Sequence, residues 1–341
     1  MPAIKEIEGL TRERFEQEVL TAYEPVLMRG LVRDWPLVQQ ARAGLEPCLQ
    51  YLMGFDQGVP VDAVLAKPEP TRAFSYRPDL DGFNFMHEKR PYAALFEQLW
   101  RYSHFPDPPS LAAQSAPVAE VLAGLELANA CPLLQAEVRP RIWIGNRATV
   151  PAHFDDSHNI ACVAAGRRRF TLLPPQCAPL LYMGPPDYAP TPTPAPMSVL
   201  PRLQSADPTR YPMVAEALEQ ALVVELEAGD ALYLPPLWFH QVEALAPDLN
   251  ILMNYWWRPA PAPGRQDDLH LAALRLAMLA LRHLPEGERE GWRALFDFYV
   301  FGARDEALAH IPEDRRHMLG ALDAAADAAI RHDLIEQLNK R

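Results

Sequence analysis

His153-Phe154-Asp155 and, far downstream, Trp238-Phe239-His240 constrain this chain more than any other feature of it. In a β-strand residues i and i+2 point to the same side, so His153 and Asp155 can reach one metal ion while Phe154 faces the opposite way. A third ligand, His240, must then arrive from a distant part of the chain. Two imidazoles and one carboxylate on one face leave half the coordination sphere open, which is the donor set of mononuclear non-haem Fe(II) chemistry. Any fold for this chain has to bring these two segments together.

The surroundings of each segment are those of short strands. Leu222-Val-Val-Glu-Leu-Glu227 alternates as a half-buried strand, Gly229-Asp230 reads as a tight turn, and Ala231 to Leu234 reads as a buried strand. Pro235-Pro236 ends its ladder pairing before His240. A hairpin carrying a histidine at its far end is the expected outcome. Upstream, Arg141-Ile-Trp-Ile-Gly-Asn146, Pro151 to Asn159 and Gly166-Arg-Arg-Arg-Phe-Thr-Leu-Leu-Pro-Pro175 form the other half of the pattern.

Taken together these segments resemble the two halves of the double-stranded β-helix signature of JmjC-type and cupin-like 2-oxoglutarate oxygenases, and in particular bacterial cupin-like proteins related to the asparaginyl hydroxylase of hypoxia-inducible factor. The resemblance runs over about residues 20–260. It implies a mainly β fold with flanking helices, a jelly-roll (cupin) core, Fe(II) held by His153, Asp155 and His240, and 2-oxoglutarate as co-substrate. In that family a basic side chain after the His-x-Asp pair holds the distal carboxylate of 2-oxoglutarate, and Arg168 occupies its place. Arg168 shares strand parity with Phe170 and Leu172, the apolar set, which favours it over Arg169. An arginine fork can bind a carboxylate through two parallel hydrogen bonds.

Asn159 and Asn254 match polar residues lining the cofactor pocket of the related hydroxylase. That hydroxylase also has a threonine three residues before its first histidine; here Val150 stands there with Thr149 adjacent, so Thr149 is the pocket candidate. The matching stretch Pro109 to Ser115 lacks the tyrosine that contacts the cofactor in the relative.

With 341 residues, 49% of them hydrophobic, the chain can bury a large core, and the expected organisation is an oxygenase domain over residues 1–263 followed by a helical region over 264–341. Gly184 to Pro212 is dense in proline and reads as an ordered insert crossing the mouth of the barrel, with Pro190 to Pro196 its most mobile part. Thr11 reads as the N-cap of a helix to Leu20, Val59 to Ala66 as a strand, Pro91 to Tyr102 as a helix, and Val118 to Leu125 as another. Apolar stripes over Leu271–Leu281 and Trp292–Tyr299, with a helix over Ala321–Leu338, suggest a homodimer through the C-terminal helices.

A net charge of −12 speaks against nucleic acid or an anionic membrane as a partner. Four scattered cysteines show no metal-finger spacing, and the charged N-terminus and absence of a long apolar run point to the cytoplasm. The substrate expected from the resemblance is a protein or peptide side chain, with a small molecule as the other possibility. A non-oxidative metal-binding cupin, such as an isomerase or small-molecule sensor, is the alternative function, but it has no need of Arg168 inside the barrel.

Overall fold

The computed structural model describes residues 3–190, 196–258, 269–302, 308–320 and 322–340. The chain forms two compact units, Met1–Trp257 and Arg258–Arg341. The expected boundary at 263/264 lies within 259–268, outside the described residues.

Among the described residues of the first unit there are thirteen strands: β1 (Lys5–Ile7), β2 (Val26–Met28), β3 (Val61–Ala66), β4 (Phe85–Arg90), β5 (Ser110–Pro117), β6 (Pro140–Gly145), β7 (Ala148–His153), β8 (His158–Ala165), β9 (Arg167–Leu173), β10 (Leu222–Glu227), β11 (Ala231–Leu234), β12 (Phe239–Ala244) and β13 (Asn250–Trp257). They make a nine-stranded sheet, β1-β2-β11-β8-β13-β6-β5-β3-β4, and a four-stranded sheet, β10-β9-β12-β7. From β6 to β13 consecutive strands switch between the sheets except at β9–β10, which is the jelly-roll topology expected of this pattern.

Strand parity decides what lies between the sheets. Ala161, Val163, Phe170, Leu172, Val224, Leu226, Leu232, Leu234, Val242 and Leu252 all point inward and form one apolar cluster. The alternate residues of the larger sheet, among them Ile142, Ile144, Ile160, Cys162, Met253 and Tyr255, pack outward against the N-terminal helices. A fully buried aromatic such as Phe170 contributes roughly 1.5–3 kcal/mol by leaving water.

The expected hairpin at Gly229-Asp230 does not form. β10 pairs with β9 and β11 pairs with β8, so this turn is a corner that carries the chain from one sheet to the other. Gly229 adopts φ +109°, and the Asp230 carboxylate accepts the N–H groups of Glu227 and Gly30 and pairs with Arg29. Those bonds fix the corner to the β2 turn rather than to a neighbouring strand.

Other elements follow the sequence with local differences. Thr11 caps the first helical turn, but the helix is Arg12–Arg14 followed by a π-turn over Phe15–Val19. Val118 to Leu125 is split into Val118–Val121 and Leu125–Ala128, because Gly124 takes φ +95° between them. Strand β3 and the helix Tyr92–Tyr102 stand where their patterns place them.

The proline-rich insert is laid along the free edge of β7. Met197 bridges His153, and Ser198 N–H donates to Ala152 O at 2.7 Å. Its later part covers the outer face of the smaller sheet, where Arg202 pairs with Glu243 at 2.7 Å and Gln241 bonds Gln204 and the Leu203 N–H. Of the stretch expected to be most mobile, residues 191–195 lie outside the described residues.

In the second unit the helices His270–Leu281, Glu286–Phe296 and Ala324–Asn339 are formed. No helix among the described residues is long and apolar enough to cross a membrane.

Candidate metal centre and cofactor pocket

His153 and His240 are Cα partners across β7 and β12, at the end of the smaller sheet. Their rings lie 4.2 Å apart, and His240 Nε2 is 3.6 Å from Asp155 Oδ2. One ligand atom from each of His153, Asp155 and His240 falls within 4.8 Å of the others. Each histidine Nδ1 faces a backbone carbonyl two residues earlier, Pro151 O at 2.9 Å and Trp238 O at 3.0 Å. That bond places the proton on Nδ1 and turns Nε2 toward the shared centre, as ligating histidines require. Burial, followed by the neighbouring His240 ring, pushes His153 down to about 4, so it is neutral at physiological pH.

Local geometry brings His240 into place. After β11, Pro235-Pro236 breaks the ladder, and Leu237 takes φ +68° while its N–H donates to Asp155 O at 2.7 Å. A left-handed conformation at a branched residue is a strained one, held here by the Asp155 carbonyl. Phe154 faces away from the ligands and packs edge-on against Phe239.

Asp155 is oriented from the larger sheet. Trp256 Nε1 donates to Asp155 Oδ2 at 3.0 Å, and Asn159 Nδ2 reaches the same oxygen at 3.4 Å. Two residues along β13, Asn254 Oδ1 accepts the indole N–H of Trp143 at 3.0 Å. The residues brought together by parity are therefore Trp143, Asn159, Asn254 and Trp256 from one sheet, facing His153, His240 and Arg168 from the other.

Arg168 lines a cavity with Gln114, Trp143, Val150, Val242 and Ala244. It is only 8% exposed, its Nε is buried without a partner, and it makes no ion pair among the described residues. Desolvation pulls its guanidinium down to about 10, which still leaves it charged at neutral pH. Arg169, on the opposite face, bonds Glu225 at 2.6 Å and approaches Glu243 at 3.6 Å. The two adjacent arginines thus have different work: one ties strands together on the outside, the other presents an unneutralised charge to the interior.

Thr149, expected in the pocket, is instead turned to the 71–74 segment, where its hydroxyl donates to Thr71 O at 3.0 Å. The cause is an irregularity in the β7–β12 ladder: His240 opposes His153, but Val242 opposes Val150, so one extra residue shifts the facing set. Val150 lines the cavity in its place. Sequence reasoning assigned no role to Trp256, Trp143 or Gln114. The period of two from Asn254 points to Trp256; nothing in the pattern marks Gln114, which lies on β5 beside a bulge between Ala113 and Ala116.

The donor set and the cavity suit the groups that the sequence implies. Three ligands would leave room on a six-coordinate metal, and a buried arginine with no ion pair among the described residues suits a dianionic chelating co-substrate.

The cupin-like domain family matches residues 12–262. Lysine-specific demethylase JMJ31 of Arabidopsis thaliana is 30% identical over 155 residues, 42% of this chain and 27% of the relative. Jumonji C domain-containing protein 5 of Drosophila melanogaster is 24% identical over 261 residues, 74% of this chain and 59% of the relative. tRNA wybutosine-synthesizing protein 5 of Gallus gallus is 27% identical over 150 residues, 40% of this chain and 43% of the relative. The matches thus span from 27% to 59% of the length of these relatives. Because the family match takes in all eight jelly-roll strands, the chain belongs to the cupin-like domain family.

Proposed function

We propose that this protein is an Fe(II)- and 2-oxoglutarate-dependent hydroxylase acting on a protein or peptide side chain. The observation that carries the reading is Arg168: a buried guanidinium without a carboxylate partner among the described residues, on the same inner face as the His-Asp-His cluster. A cupin that only binds metal, as an isomerase or sensor, has no use for such a charge and would bear its desolvation for nothing.

When bound, iron and 2-oxoglutarate supply oxidative decarboxylation, in which one atom of O₂ leaves in succinate and the other enters a substrate C–H bond. His153, Asp155 and His240 hold the metal through their remaining lone pairs. Trp256 and Asn159 keep the Asp155 carboxylate in one orientation. Arg168 binds the far carboxylate of the co-substrate, and Asn254 with Trp143 walls the space between.

The insert residues beside His153 are in position to select the substrate, since Met197 pairs with that ligand's backbone. Hydroxylation of a methyl carbon on nitrogen is the same C–H step, so the name of the Arabidopsis relative is compatible with this chemistry. The net charge of −12 favours a polypeptide or small molecule over nucleic acid or an anionic membrane, and the cytoplasm is the compartment that fits four free cysteines. The C-terminal helices join two copies: Leu279 and Phe301 are each 75% exposed, and Trp292, Leu295, Ile335 and Leu338 are exposed as well.

The test is anaerobic addition of Fe(II) and then 2-oxoglutarate to the purified protein. The expected result is a weak visible charge-transfer band that appears only with both. A band absent at saturating concentrations removes the oxygenase reading and leaves the metal-binding cupin.

A further inference from the structure

Most polar groups around the cavity that holds Arg168 already have partners. Asn146 donates from Nδ2 to Pro109 O at 2.8 Å and accepts the Leu111 N–H at Oδ1, 2.9 Å away. The indole N–H of Trp143 goes to Asn254. Phe74, Ala112, Ala148, Val150, Val242 and Ala244 bring no donor side chain to the lining. Two polar side chains remain, Arg168 and Gln114.

Gln114 is 3% exposed, forms no side-chain hydrogen bond among the described residues, and buries Oε1 without a partner. A buried carboxamide oxygen without a partner destabilises the protein that carries it, and buried side-chain amides normally find at least one bond. Here two such atoms, Gln114 Oε1 and Arg168 Nε, belong to residues that line one cavity. Rotation about the last side-chain bond exchanges the amide oxygen and nitrogen, so Gln114 can present either an acceptor or two donors to that space.

We infer that Gln114 is the second anchor of the co-substrate pocket, its amide N–H sharing with Arg168 the distal carboxylate of a dicarboxylic 2-oxo acid. This deepens the 2-oxoglutarate reading above and rests on it. A carboxylate offers about four lone-pair positions, of which a planar guanidinium takes two, so an additional neutral donor is needed and an additional charge is not. A neutral amide keeps the count at one cation for one anion. It also explains how a wall otherwise built of alanine, valine and phenylalanine discriminates a distal carboxylate from a methyl group.

The experiment is calorimetric titration of the full-length protein loaded with Mn(II), using 2-oxoglutarate and pyruvate as probes; pyruvate shares the 2-oxo acid end and lacks the far carboxylate. Gln114→Leu is expected to weaken 2-oxoglutarate about tenfold or more, the worth of one hydrogen bond to a charged group, with Mn(II) and pyruvate affinities unchanged. Gln114→Glu, nearly the same size, is expected to pair with Arg168, raise the melting temperature of the ligand-free protein and lose 2-oxoglutarate by about 100-fold or more. This second variant keeps the test decisive if the leucine variant does not fold. Wild-type affinity for 2-oxoglutarate in either folded variant overturns the role of Gln114 alone. Wild-type protein that binds 2-oxoglutarate no better than pyruvate overturns the parent reading instead.

Discussion

Trp256 and Asp155, 101 residues apart in the chain, are joined by a 3.0 Å hydrogen bond from the indole Nε1 to the carboxylate Oδ2. The bond runs from the larger sheet to the end of the smaller one, so the orientation of the Asp155 carboxylate depends on how the two sheets face each other. Outer partners of metal ligands commonly affect affinity by about 10–100-fold. Trp256→Phe keeps the ring and removes the N–H. It is expected to weaken Mn(II) or Fe(II) binding by about tenfold, with little change in the unfolding midpoint. Unchanged metal affinity in a folded variant would show that Asn159 alone suffices to hold Asp155.

The contrast between Arg168 and Arg169 yields a paired prediction. Arg168→Ala should raise the 2-oxoglutarate concentration needed for turnover by about 100-fold while leaving metal affinity near its parent value, since a charge-assisted fork is lost and no ligand is. Arg169→Ala breaks an exposed pair with Glu225 and should shift stability by less than about 1 kcal/mol without touching the co-substrate requirement. Equal effects of the two substitutions on that requirement would contradict the opposite faces they occupy.

Acid should destabilise the protein through His158. Burial lowers its pKa, its Nδ1 lies 2.8 Å from the Tyr233 hydroxyl, and its ring stacks on Trp257. The folded value lies below the unfolded one of about 6.5, so the unfolded chain binds more protons in between. This contribution to stability is present in full above about pH 6.5 and is lost as pH falls toward the folded value. Urea midpoints measured from pH 7.5 to 5 should therefore fall for the parent and fall less for His158→Phe. Parallel curves for the two proteins would assign the acid sensitivity elsewhere.

Light scattering at low micromolar concentration should return about twice the 38.3 kDa chain mass. Truncation after about Pro263 should yield aggregation or a loss of soluble protein, not a well-behaved monomer. A full-length mass near 38.3 kDa would mean that the exposed apolar residues of the C-terminal unit have another purpose.

The parts of this molecule legible in its sequence are those governed by a strict period. His153 and Asp155 stand two apart, Phe154 faces Phe239 as alternation demands, and the same parity separates Arg168 from Arg169. Where the period is interrupted, legibility ends. The ladder irregularity opposite Val242 exchanges Thr149 for Val150, and a one-residue shift reverses every side chain beyond it. The Gly229-Asp230 turn has hairpin chemistry, yet its partners are chosen by Asp230 bonds to Gly30 and Arg29, residues about two hundred positions away in sequence. Gln114 belongs to β5, outside the eight strands of the jelly roll, and its place beside Arg168 follows from sheet order, which no local pattern encodes.

The direct opposition of His153 and His240 has a consequence for how the protein comes to exist. Strands β8 to β11 and the whole insert lie between these partners in the chain, so no hairpin formed early can contain the site. Closing so long a loop is entropically costly before any contact rewards it, and such non-local pairing is slow. During synthesis the first half of the cluster emerges as a lone imidazole and carboxylate, too few donors to retain a metal. A metal ion would then be captured late, by an assembled barrel, and adding Mn(II) to a refolding mixture should leave the folding rate unchanged while slowing unfolding.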